Sequence, residues 1–166
     1  MENRLAEVLK EAKVTWKIAR YVDDAAYAAK SPYNESEIDG NIMLNEGINE
    51  IWTLNCSSSG TEFDNANAYL GVGDSNAAEN ATQTGLQAAS NKLYVGMDGG
   101  YPTYGTAQKA TWRSTFTGAQ ANFAWQEFTV ANGGSDASVN MNRKISDQGT
   151  KTAGQTWELT LEITLS

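Results

Sequence analysis

The sequence predicts a mainly β fold: an antiparallel, jelly-roll-like β-sandwich with one or two short helices and an N-terminal arm. Three observations lead there. Trp157, Leu159, Leu161, Ile163 and Leu165 alternate with Glu158, Thr160, Glu162, Thr164 and Ser166, and a period of two places every apolar side chain on one face of a strand. Shorter runs of strand character recur between residues 66 and 145, separated by stretches rich in Gly, Asn, Asp and Ser. Five Trp, seven Tyr and four Phe in 166 residues supply a core large enough for one domain.

Residues 2–12 set Leu5, Val8, Leu9 and Ala12 at helical spacing among Glu and Lys. A helix of about three turns is marginal alone in water, so it is expected to dock on its own domain or on a neighbour. Val14, Trp16 and Ile18 alternate with Thr15, Lys17 and Ala19 as a strand. The polar stretch 23–40, with Pro32, Asn34 and Ser36, reads as a surface loop or extended arm. Residues 1–40 are therefore expected to form an N-terminal helix, strand and arm, and residues 41–166 the sandwich domain.

A packed helix is expected near 42–55, where Leu44, Ile48, Ile51 and Trp52 form one stripe. Asn45 is placed to cap it and Glu46 to complement its dipole, while Gly47 counts mildly against it. The run Cys56-Ser57-Ser58-Ser59-Gly60 ends it. Such a helix would plug one face or end of a sheet.

Later strands are expected over Ala68–Gly73, Leu93–Met97, Lys109–Thr117, Asn122–Ala131 and Val139–Ile145. Asp98-Gly99-Gly100 is a turn signal. The alternation shifts phase between Trp125 and Phe128, which reads as a β-bulge. Slipping the last strand by one residue would expose five large side chains, so its register is firmly set.

The chemistry the chain lacks is as informative. There is no histidine, which removes Ser-His-Asp and Cys-His catalysis and the commonest transition-metal ligand. One cysteine, Cys56, permits no internal disulfide and no cysteine-based zinc site, and it reads as a small buried hydrophobe. The net charge of −8, without a basic run, opposes nucleic-acid binding. No stretch approaches the roughly 20 apolar residues of a membrane helix, and the first residues carry no secretory pattern because Glu2, Glu7 and Glu11 interrupt it. The expectation is a protein made and kept soluble in a cytoplasm, with no enzyme activity, catalytic residue, cofactor or metal.

Several constellations have residue types that chemistry could use. Gly71-Val72-Gly73-Asp74-Ser75 resembles a phosphate loop only in its glycines and reads as a strand ending in a turn. Asp64, Asn65, Asn67, Asp74 and Glu79 lack the carboxylate spacing of a calcium loop and read as solvated turn residues. Glu127, Glu158 and Glu162 lie on strands, and nothing in their spacing meets the paired-carboxylate geometry of sugar hydrolysis. Tyr94, Tyr101, Tyr104, Trp112, Phe116, Phe123, Trp125 and Phe128 are expected chiefly to fill the core, with subunit contacts or a glycan platform as the other uses.

Particular segments carry a resemblance. Residues 44–52 (LNEGINEIW), 65–75 (NANAYLGVGDS), 97–102 (MDGGYP), 121–127 (ANFAWQE), 142–144 (NRK), 149–151 (GTK) and 156–161 (TWELTL) are similar to a group of small tailed-bacteriophage virion structural proteins. The similarity covers roughly residues 42–166, and more weakly the strand around Trp16. It implies a capsid decoration (cement) protein on the virion surface, made in the host cytoplasm. Its partners would be the major capsid protein and copies of itself, as a homotrimer or other symmetric oligomer. A tail, baseplate or fibre component that binds host-surface glycan is the alternative. The resemblance brings no catalytic or cofactor residue with it.

Overall fold

The structure, a computed structural model, describes residues 12–57 and 59–165. Apart from Ala12, the helix expected over residues 2–12 lies outside the described residues. The elements in chain order are β1 (Lys13–Tyr21), α1 (Asp24–Ala28), β2 (Asn34–Asp39), β3 (Ile42–Met43), α2 (Asn45–Cys56), β4 (Tyr69–Gly73), β5 (Lys92–Gly96), β6 (Thr103–Thr106), β7 (Lys109–Phe116), β8 (Glu127–Ala131), β9 (Asn142–Ile145) and β10 (Thr156–Thr164). They build two five-stranded sheets, β2-β1-β10-β7-β6 and β3-β9-β8-β4-β5. Every pairing is antiparallel. The fold is a β-sandwich, and the chain passes between sheets after β2, β5, β7 and β9.

The strand with the strictest alternation occupies the middle of its sheet. β10 pairs with β1 on one side (Leu159↔Ile18) and β7 on the other (Leu159↔Ser114). Trp157, Leu159 and Leu161 are buried, together with Trp16 and Ile18 of β1 and Phe116 of β7. The second sheet answers with Leu70, Val72, Phe128 and Val130. Burying such a side chain is worth about 1.5–3 kcal/mol. Trp16 meets Phe128 across the sandwich at 5.8 Å between ring centroids, and Trp125 packs edge-on against both Phe116 and Trp157 at 4.8 Å.

The opposite face of β10 is wet, as its Glu and Thr residues require. Lys17 and Lys109 stand 3.1 and 3.6 Å from Glu162. Burial works to raise the Glu162 carboxyl, but the two lysines outweigh it and hold it below the usual range. Leu165, last of the alternating apolar residues, falls beyond β10 and is exposed.

Four expectations are corrected. The strand expected around Val14–Ala19 is β1, but the stretch 23–40 is not only a surface loop or arm, because it contributes β2, which pairs with β1 in the first sheet. The reason β2 escapes notice is its place: it is an edge strand, whose Glu35, Glu37 and Asp39 face water and guard the edge. The stretch read as loop also holds α1, capped where Ala26 N donates to Asp23 Oδ1 at 2.8 Å.

Asn122–Trp125 is likewise not the bulged start of β8, which begins at Glu127. Trp125 instead enters the core from a loop, its indole N–H donating to Ala121 O at 3.0 Å. That is why the alternation loses phase there. Finally, Asn45 does not cap α2. Leu44 occupies the cap position without a side-chain bond, and Asn45 is the first helical residue.

Candidate functional site

The carboxylates singled out from sequence are consumed by the fold. Glu127, on β8, is wholly buried and faces away from the inter-sheet core, under the segment around residues 77–88. Its Oε2 accepts from Arg143 Nε at 2.8 Å and from Gln87 N at 2.9 Å, and its Oε1 from Ala88 N at 2.8 Å. Arg143 Nη1 donates onward to Ala77 O at 2.9 Å and Gln83 Oε1 at 3.0 Å. A carboxylate with an ion pair and two backbone N–H donors is satisfied, and its work is to fasten the 77–88 segment onto the sheet. Glu158, on the wet face, sits 3.5 Å from Lys30 and 3.7 Å from Arg113. Glu127, Glu158 and Glu162 are not brought together around a common cleft.

The glycines of residues 71–73 are explained by their neighbours. A Cβ on Gly71 would stand 2.7 Å from the Tyr94 ring, and one on Gly73 would stand 2.4 Å from Glu127 Oε1. They lie inside β4, between β5 and β8, and make room for those side chains. Tyr94 donates to Asp136 Oδ1 at 2.5 Å, and burial, reinforced by Asp136, raises its phenol well above the usual range.

The acidic and amide residues weighed for a cation are dispersed. Asp64 Oδ1 accepts from Ala66 N at 3.1 Å and Asn67 N at 2.9 Å. Asn65 reaches Tyr101 O at 2.6 Å, Asp74 accepts from Asn91, and Glu79 accepts from Ile145 N. No group of three or more acidic or Cys residues suited to a metal occurs among the described residues.

Most of the aromatics are internal. Trp112, Phe116, Trp125 and Phe128 are buried and Phe123 packs against the core. Tyr101 lies under Arg113, whose guanidinium carbon is 4.2 Å from the ring centroid. Tyr104, on β6, is the one of the eight that stands well out in solvent.

Two side chains missed in the sequence are central to the interior. Arg143 is one. Lys151 is the other: it is wholly buried, and its Nζ donates to Thr117 O at 2.8 Å and to Gln120 O and Asn122 Oδ1 at 2.9 Å. Burial pushes its ammonium down to about 8, partly opposed by Asp24. No spacing rule marks these cations.

Helix α2 presents an exposed apolar strip. Its inner side is Leu44 and Gly47, with Ile51 and Leu54 packed on the core. Gly47 lies so close to the backbone just before β9 that a Cβ would stand 2.4 Å from Met141 Cα. The glycine that weakened the helix in the sequence is what lets the helix seat. The expected stripe is thereby split: Leu44 and Ile51 face inward, but Ile48 and Trp52 are 39 % and 54 % exposed. Cys56, one turn beyond Trp52, is also exposed and is not a core residue as expected.

Fold and surface together define an antiparallel β-sandwich with one buried ion pair among the described residues and an apolar strip on its outer helix. No protein-family model, curated protein or solved structure matches the chain. Among the described residues no helix is long and apolar enough to cross a membrane.

Proposed function

We propose that this chain is a non-catalytic structural protein of a tailed-phage virion, a capsid decoration or cement protein that binds the major capsid protein and copies of itself on the head surface. One observation carries the association: Ile48 and Trp52, one turn apart on α2, hold apolar area in water at 39 % and 54 % exposure. A large aromatic on a helix seated by Gly47 against backbone is rigid, and rigid aromatics lose little entropy when covered. The particle itself rests on the sequence resemblance of residues 42–166. Engagement of Glu127, Glu158 and Lys151 in structural bonds supports a role without catalysis, and closed symmetry would multiply modest contacts into firm attachment. A glycan-binding tail or fibre component draws less support, since most of the candidate aromatics are inside.

The test is attachment of the purified protein to phage heads that lack it. Saturation at a copy number comparable with the major capsid protein is expected. Binding of only a few copies, or binding confined to tails, would overturn the reading.

A further inference from the structure

An open cleft of about 340 Å³ lies where the loop around residues 62–64 faces the β6–β7 hairpin. Its walls include Pro102, Tyr104 and Trp112 with Glu62 and Asp64. Tyr104 is 76 % exposed, the highest value among the large hydrophobic residues described. Trp112 is fixed, its indole N–H donating to Phe63 O at 3.0 Å, and that bond also ties the two walls together. Neither Glu62 nor Asp64 has an ion-pair partner among the described residues. The cations of β7 are engaged elsewhere, Lys109 with Glu162 and Arg113 with Asp98.

We propose that this cleft receives an arginine or lysine side chain from an extended segment of a protein partner. The inference rests on the structural-protein reading above and names the chemistry of the contact. A cation over an aromatic face is attracted by the ring, its aliphatic stem covers apolar wall, and two carboxylates without ion-pair partners supply the opposite charge. An anionic partner would meet both those carboxylates and a net charge of −8. The segment is extended because β6 forms an open edge. Thr103, Tyr104, Gly105 and Thr106 are all exposed and uncharged, whereas the other edge of the same sheet, β2, carries acids. An unguarded edge beside a side-chain cleft suits strand addition.

The test is a titration of the full chain, read by NMR at Tyr104 and the Trp112 indole. The probes are acetyl-Thr-Arg-Thr-amide, the same peptide with glutamine in place of arginine, and N-acetylglucosamine. Saturable, salt-sensitive shifts with the arginine peptide are expected, weakened about two- to fivefold in Tyr104→Ala and in Glu62→Gln. Equal shifts from the glutamine peptide, shifts from the sugar alone, or no shift from any probe would overturn the proposal. Tyr104→Ala protein that still attaches to heads at full strength would also overturn it, while leaving the structural-protein reading intact. A parent protein that attaches to no head strikes that reading instead.

Discussion

Arg143 and Glu127 form an ion pair from which water is excluded. Arg143 Nε donates to Glu127 Oε2 at 2.8 Å, and both side chains are completely buried. The pair joins neighbouring strands β9 and β8, and through Gln87, Ala88, Ala77 and Gln83 it pins a long loop over the second sheet.

Removing one partner leaves the other charged and buried. Glu127→Gln and Arg143→Met should each cost about 3–5 kcal/mol. The double variant Glu127→Leu/Arg143→Met should cost less than the sum of the corresponding single variants. Urea unfolding measures all of them, and strict additivity would show that the two side chains are not coupled.

Gly47→Ala opposes two effects on α2. Helix propensity favours alanine by about 1 kcal/mol, but the new Cβ would press on Met141 backbone at 2.4 Å. Backbone cannot swing aside as a side chain can, so the variant should lose about 1–3 kcal/mol net. A lower urea midpoint is expected, and an unchanged or raised one would show that α2 shifts freely.

Lys151 makes stability depend on alkaline pH. Its folded-state value of about 8 lies below the ordinary 10.5, so between those limits the unfolded chain holds more protons than the folded one. The contribution of this group to stability therefore rises with pH across that window, by up to about 1.4 kcal/mol per unit. Below pH 8 both states are protonated and the contribution is flat. The difference in unfolding free energy between parent and Lys151→Met, followed from pH 7 to 10, should show that slope. A flat difference would place the Lys151 titration outside the window.

Trp52→Ser separates association from folding. With the indole in solvent, stability should change by no more than about 0.5 kcal/mol, while attachment to heads should weaken. Iodide quenching provides the internal check: Trp16, Trp125 and Trp157 are buried, so the parent's quenchable emission should largely vanish in the variant. A large loss of stability would mean that Trp52 is covered within its own chain.

Much of the fold was legible because central strands state themselves. β10 and β1 bury one face and wet the other, and Trp157–Leu161 and Val14–Ile18 show that period directly. β2 and β6 did not, since an edge strand with little to bury needs no apolar alternation. The exposed strip of α2 was half legible: the periodicity of residues 44–52 gave the helix, but Ile48 and Trp52 belong by spacing to the same stripe as Leu44 and Ile51. Which of them faced the core was not written there.

By itself the sequence determined the β-sandwich class, the alternating strand at its centre and the absence of histidine chemistry, because these depend on local period and composition. Only the tertiary structure decided that Glu127 pairs with Arg143, that Lys151 is enclosed by three oxygen acceptors, and that Gly47 turns Trp52 outward. Each of those depends on residues distant in the chain meeting at a few ångströms, and no local pattern encodes that distance.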